Sequence, residues 1–335
     1  MVAQIDNTYR RLVPRRIFPR LVSYFFFEGR PLTTKGQWIN PLLKLNLKFL
    51  KIFPAPKEII SPIYIVGTGR SGTTVLGTVL SVHPDIGFLN EPKLLWNIFR
   101  DDEDLVGSYS HKPGRYRLSS RDATDAVGRS ARRLYGWYLF LSRAHRVLDK
   151  YPEAVFRFEF LDHMFPDAKF IFLVRNGRDT CKSINSWSRR LSIKKGGTIQ
   201  DWWGRDDQKW RLLCEQIVPE HPDLLLKLSD IRGLRNHVDR AAVEWIVSMR
   251  EGLKLAETYP SRVKTVRYED LIRSPLAQLT EIQEFCGLKA DSKMLDYACA
   301  VLRPATNIPR LALNEVLIEP FDCVMAELGY KDCLE

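Results

Sequence analysis

The chain has 335 residues, 45% of them hydrophobic and 27% charged, with six cysteines and a net charge of +11. These are globular proportions, with length enough for one large domain or two modest ones, and they exclude a disordered, collagen-like or disulfide-stapled chain. No apolar run reaches the roughly 18 residues that would argue for a transmembrane helix. The charge is unevenly placed: residues 1–57 hold eleven Lys/Arg against Asp6 and Glu28, a net +9, so residues 58–335 carry only +2. The chain therefore divides into a basic N-terminal arm, 1–57, and a body, 58–335. Residues 21–27 are apolar but too short for a secretory signal and lack a small-residue cleavage site. The cysteines form no C-x-x-C pair, which speaks against zinc or a thioredoxin-like motif and predicts reduced thiols in a cytoplasmic protein.

In chain order, residues 42–53 read as a helix that ends before Pro54-Ala55-Pro56. Lys44, Lys48 and Lys51 fall on one stripe, and Leu43, Leu45, Leu47, Phe49, Leu50, Ile52 and Phe53 fill the rest. Such a helix either lies in a membrane interface or packs on the body with its lysines in water. The body opens with a strand over 63–66 and a helix over 73–82. A loop follows, with His83-Pro84 and Asn90-Glu91-Pro92. Helices are expected over 93–100 and 122–149. Residues 169–174 are a nearly all-apolar strand, as in a buried parallel sheet. A helix opens at Gly177 and runs to about Trp187. A polar, Trp-rich segment covers 189–211, a long helix 237–259, a third strand 263–268, and two or more helices follow. Strands separated by helices predict an α/β fold in three layers, a P-loop-like parallel sheet flanked by helices. Ligands then bind beyond the carboxyl ends of the strands.

The stretch Ile63-Tyr64-Ile65-Val66-Gly67-Thr68-Gly69-Arg70-Ser71-Gly72-Thr73-Thr74 carries the most chemistry. A strand runs into a glycine-punctuated turn that opens a helix, which gathers backbone N–H groups and a positive helix end around one phosphate-sized volume. It nearly matches G-x-x-x-x-G-K-[ST], but Thr73 stands where a nucleoside-triphosphatase has its Lys, and the cation is Arg70 inside the loop. A second strand-to-helix junction places Arg175 at a strand end and Ser183 a little over two helical turns later, a second anion site. Two cradles, and no acidic Mg²⁺ ligand after a hydrophobic strand, point to a nucleotide with phosphates at two positions of its ribose.

These residues resemble the sulfotransferase family that uses 3′-phosphoadenosine 5′-phosphosulfate (PAPS). Arg70-Ser71-Gly72-Thr73-Thr74 is similar to its 5′-phosphosulfate loop. Arg175-Asn176-Gly177-Arg178-Asp179 with Ser183 resembles its 3′-phosphate element, and Arg267-Tyr268-Glu269-Asp270-Leu271 with Ser274-Pro275 resembles a third. The resemblance covers residues 60–290 and comes closest to the bacterial and carbohydrate-modifying branches. It implies PAPS as donor, the bisphosphate PAP as product, no metal, and a donor site of Arg70, Ser71, Gly72, Thr73, Thr74, Arg175, Ser183 and Tyr268. Tyr268 either lies near the adenine or is a core tyrosine. The expected base is Glu91 in Asn90-Glu91-Pro92, with His83 as the alternative base or a turn residue. Lys150 resembles a K-x-P element, structural or acceptor-side. The C-terminal R-K-G-x-x-G clamp of the cytosolic branch is missing, and Arg303-Pro304-Ala305-Thr306-Asn307 is the candidate replacement.

The leading expectation is sulfuryl transfer to a hydroxyl or amine of a small-molecule, glycan or lipid acceptor, with a saccharide or glycolipid foremost. The segment Trp202–Trp210 is either a sugar-binding surface or a cap over the core. The alternatives are a P-loop kinase and a non-enzymatic protein of membrane surfaces. Residues 1–57 are the candidate peripheral membrane contact. No interleaved aromatic–basic motif marks nucleic acid as a partner.

Overall fold

A computed structural model describes residues 3–110, 112, 114–195, 197–303 and 311–330. Its centre is β1 (Ile63–Gly67), buried along its whole length. Around it lie β2 (Ile86–Asn90), β3 (Arg146–Lys150), β4 (Lys169–Val174) and β8 (Val263–Arg267), in the order β2-β3-β1-β4-β8, every neighbouring pair parallel. Side chains alternate between faces, and both faces are covered. Ile63, Ile65, Ile171 and Leu173 enter one core with the Thr73–Leu80, Pro275–Cys286 and Ser292–Val301 helices. Tyr64, Val66, Phe170 and Phe172 enter the other with the Asp125–Ser142, His237–Thr258 and Glu315–Glu327 helices. Two apolar faces explain why β1 and β4 lack a polar alternation. The expected three-layer α/β architecture is the one observed.

Two elements differ from expectation. Residues 122–149 do not form one helix: the Asp125–Ser142 helix ends at Arg143, whose φ is +55°, and the chain turns into β3. Residues 86–90, expected in a loop, are β2. Both strands break the usual pattern for a physical reason. Gly87 is where a Cβ would come within 2.9 Å of the Tyr138 ring, and β3 ends in two buried ionisable residues, Asp149 and Lys150. The Trp-rich segment is a small antiparallel sheet, β5 (Ile193–Lys195), β6 (Thr198–Asp201) and β7 (Gly204–Arg205), followed by the Gln208–Gln216 helix.

The described part of the arm packs on the body. Tyr9 is buried, its hydroxyl beside Ser81 Oγ at 3.1 Å. Arg16 donates to the carbonyls of Ser81, Pro84 and Ile86. Buried Arg20 pairs with Glu28 at 3.0 Å, and Glu28 accepts from the Asn90 N–H. Two of the arm's eleven cations, Arg16 and Arg20, thus brace β2 through the carbonyls of Ile86 and Phe88. All five parallel strands run the same way, so their carboxyl ends, Gly67, Asn90, Lys150, Val174 and Arg267, lie along one edge. The residues just beyond them build the candidate site.

Candidate active site

The loop after β1 is shaped by two glycines and an arginine in the left-handed region. Gly67 has φ +135°, and a Cβ there would lie 2.7 Å from the Leu173 carbonyl oxygen. Gly72 has φ +98°, and a Cβ would lie 2.4 Å from the Tyr268 ring. A side chain at either position would both strain the backbone and strike a neighbour. Arg70 itself has φ +69°, an uncommon conformation for a residue with a Cβ. Leu76 N–H donates to Gly72 O, starting the Thr73–Leu80 helix, whose first N–H groups have no partner within the helix.

The second junction meets the first. Arg175, just past β4, donates from Nη1 to the Arg70 carbonyl at 3.1 Å, and Arg70 Nε donates to Ser183 Oγ at 3.2 Å. The Arg175 guanidinium lies 4.6 Å from the Tyr268 ring centroid, just past β8, within cation–π range. Asp179 sits 3.8 Å from Arg175. Burial lowers the Arg70 guanidinium below its ordinary range, Glu91 opposes that, and the nearby charges of Arg190 and Arg175 lower it further. Thr68 Oγ1, Ser71 Oγ and Arg175 Nε are buried with no hydrogen-bond partner among the described residues. Buried donors left unpaired among converging cations are the signature of an anion site.

Glu91 follows β2 with φ +49°. Its N–H donates to Lys150 O at 2.8 Å, and its carboxylate accepts from Lys150 Nζ, with Lys93 Nζ 3.5 Å away. Lys150 is 1% exposed, whereas 40% of the Glu91 side chain is open to the cavity. Burial pushes the Glu91 carboxyl up, but Lys150 and Lys93 outweigh it and hold it below the usual carboxylate range. Glu91 is therefore ionised at neutral pH. Beyond Lys93 the charges continue inward: Lys93 to Glu153 at 3.7 Å, Lys209 to Glu153 at 2.9 Å and to Glu244 at 2.6 Å.

Two cavities meet at Glu91. The larger, about 510 Å³, is lined by Arg70, Thr73, Thr74, Arg175, Ser183 and Tyr268, among others. The smaller, about 80 Å³, is lined by Lys93, Arg205 and Lys209 and by Leu32 of the arm. Glu91, Trp187 and Trp202 line both. The Trp202 ring lies against Gly69, where a Cβ would be 2.5 Å away, and its Nε1 donates to Glu244 at 2.7 Å. Of the tryptophans in 202–210, Trp202 faces the cavities, while Trp203 and Trp210 are buried as a cap. His83 is elsewhere: 1% exposed, its Nε2 3.0 Å from Lys289 O, its Nδ1 accepting from Asp85 N–H as a turn brace. Arg303 is exposed, and residues 304–307 lie outside the described residues. Sequence reasoning missed Trp187, Lys93 and Glu153. It also missed Gln4, Asp6, Tyr297 and Val301, which close the larger cavity. None of these carries a motif; only the folded chain brings them to the strand ends.

Residues 62–221 match the sulfotransferase family. Protein-tyrosine sulfotransferase 1 of Homo sapiens is 32% identical over 152 residues, 44% of this chain and 40% of that protein. Protein-tyrosine sulfotransferase A of Caenorhabditis elegans is 25% identical over 239 residues, 70% of this chain and 52% of that protein. The alignments thus span between two fifths and about half of these relatives' lengths. A sulfotransferase domain from the Synechococcus PCC 7002 olefin synthase superposes with a TM-score of 0.48 at 19% identity, covering 83% of this chain and 98% of that one. The family match takes in just under half of the chain, and over it the sequence is similar to the sulfotransferase family.

Proposed function

We propose that the chain is a sulfotransferase that moves a sulfuryl group from PAPS to a hydroxyl or amine of an acceptor, with a saccharide or glycolipid as the acceptor class. The observation that carries this reading is the placement of Glu91 in the wall between an arginine-lined cavity and a smaller mixed one. The residues fit the donor. The left-handed Gly72 with Thr73 and Thr74 lines the cavity and suits its 5′ end, with the unpaired Ser71 Oγ and Thr68 Oγ1 buried behind them, and Arg175 with Ser183 suits the 3′-phosphate. Tyr268, against Arg175, lines the same cavity. The kinase alternative has less support, because Thr73 occupies the place of the P-loop Lys.

The donor, when bound, supplies a sulfuryl group carried on a phosphate leaving group. Glu91, ionised at neutral pH, accepts the proton of the acceptor O–H or N–H as the acceptor atom bonds to sulfur and the S–O bond to phosphate breaks. The electron pair stays on the phosphate oxygen. Arg70, the loop N–H groups and the Thr73 and Thr74 hydroxyls meet that charge; one such preorganised donor is worth about 2.7–4 kcal/mol. Lys150 holds the carboxylate in place. The Trp187 and Trp202 rings with Arg205 and Lys93 give the smaller cavity the mixed apolar and charged lining that suits a sugar hydroxyl. The test is transfer of radiolabelled sulfate from PAPS to a panel of glycans, glycolipids and small alcohols. Label on at least one acceptor, lost in Glu91→Gln, supports the reading. Label on none, in a chain that binds the bisphosphate, refutes it.

A further inference from the structure

The Asn40–Leu50 helix presents three sectors around its axis. Leu43, Leu47 and Leu50 are buried against the body. Leu42, Leu45 and Phe49 form a second row, 62%, 68% and 58% exposed. Lys44 and Lys48, with Lys51, form the third. The exposed apolar row continues beyond both helix ends. Trp38 is 77% exposed before it, and Ile52 and Phe53 are exposed after it, with the Phe49 and Phe53 rings 4.7 Å apart. On the flank away from the lysines, Asn46 Nδ2 donates to the Phe26 carbonyl, bringing a further exposed ring alongside. So many large apolar side chains in one row are uncommon on a free surface.

The lysines give the row its partner. Lys44, Lys48 and Lys51 line a cavity of about 380 Å³ beside the row. Lys51 Nζ donates to Ile98 O, and Asp101, the acid across the cavity, is held by Lys112. Among the described residues no acidic side chain is paired with Lys44 or Lys48. An apolar row edged by uncompensated lysines matches the layering of an anionic lipid surface, with acyl chains under the row and headgroup phosphates over the lysines. The arrangement also has a direction. A groove runs from Trp38 to Gln200 and Arg205, and both of these line the smaller cavity at Glu91.

We propose that this face, Trp38 to Phe53 with Lys44 and Lys48, docks on an anionic bilayer, the Asn40–Leu50 helix lying in the interface plane. The docked face sets the mouth of the smaller cavity toward the lipid surface. The surface term does not depend on sulfuryl transfer.

The experiment is co-sedimentation of the full chain with vesicles of equal parts phosphatidylcholine and phosphatidylglycerol, and with phosphatidylcholine vesicles alone. The expected result is binding to the mixed vesicles that weakens with salt and is much weaker on phosphatidylcholine. Leu45→Asp with Phe49→Asp should lower the partition coefficient at least tenfold, and each of Lys44→Gln and Lys48→Gln about fivefold. All these positions are on the surface, and thermal melting with and without adenosine 3′,5′-bisphosphate should match the wild type, which separates this test from that of the donor site. Wild-type chain left in the supernatant, or variants that sediment equally, would overturn the proposal. A dimer in light scattering that Leu45→Asp with Phe49→Asp dissolves, without vesicle binding, would assign the face to a second copy and overturn it too.

Discussion

Glu91→Gln separates the chemical role of this side chain from its structural one. The substitution keeps the size and one acceptor oxygen but removes the charge facing Lys150. Lys150 is 1% exposed, so an unbalanced ammonium is costly; complete loss of a partner in a buried pair costs about 3–5 kcal/mol. Here the Gln oxygen still accepts from Nζ and the cavity admits water to this side chain, so the expected loss is smaller, about 1–3 kcal/mol. Turnover should fall by about 10²–10⁴, the range for a positioned proton acceptor. Affinity for adenosine 3′,5′-bisphosphate should hold or rise, since a negative charge beside Arg70 has gone. The double variant Glu91→Gln/Lys150→Met removes both charges and should regain part of the stability without regaining turnover. Chemical denaturation, calorimetric titration and single-turnover sulfate transfer read the three effects. Wild-type turnover in Glu91→Gln would refute the assignment of Glu91 as proton acceptor, whatever the stability data show.

Three further outcomes follow from the geometry. Gly72→Ala should cost about 1–3 kcal/mol through its positive φ and weaken bisphosphate binding by moving the Tyr268 ring; Gly36→Ala, with φ +88° and open space around it, should lose stability alone. Asp149, fully buried, accepts from Tyr135 Oη at 2.6 Å and Trp96 Nε1 at 2.9 Å, and burial pushes its carboxyl up to about 7. The folded state then holds a proton that the unfolded chain releases near pH 4, so this group's contribution to stability is complete below about pH 4 and lost as pH rises through about 7. Asp149→Asn should flatten that slope in melts from pH 5 to pH 8 and raise the melting temperature most at pH 8; an unchanged slope contradicts the assignment. Trp202→Phe keeps a ring on Gly69 but frees Glu244 from its Nε1 donor. It should cost about 1 kcal/mol and raise the acceptor KM by more than it weakens bisphosphate binding.

The sequence made the anion loop readable because backbone demands leave local marks. Gly67 and Gly72 stand where no side chain fits, Arg70 sits between them, and β1 and β4 show unbroken apolar runs because both their faces are covered. Arg175 and Ser183 were legible from spacing alone, although 105 residues separate Arg175 from the Arg70 carbonyl it reaches. β2 and β3 were not legible as strands. Gly87 lowers strand propensity to admit Tyr138, and Asp149 and Lys150 are ionisable residues that only their partners across the fold make tolerable in a buried strand. The second cavity was illegible for a different reason: its lining comes from the arm, from the loop after β2 and from the small sheet β5–β7, and no local pattern records that these meet. The arm's arginines show the limit of charge counting. A net +9 suggests a solvated basic tail, yet Arg16 and Arg20 are engaged by carbonyls and by Glu28 beneath the surface.

Calorimetric titration with adenosine 3′,5′-bisphosphate is the most direct test of the central claim, that Arg70 and Arg175 jointly hold one doubly phosphorylated nucleotide. The account predicts saturable one-to-one binding by the wild type, weakened roughly ten- to a hundredfold by Arg70→Ala and by Arg175→Ala, with adenosine 5′-monophosphate binding less tightly than the bisphosphate and losing less on Arg175→Ala. No binding heat with the wild type at millimolar bisphosphate, or an affinity untouched by either substitution, would contradict it.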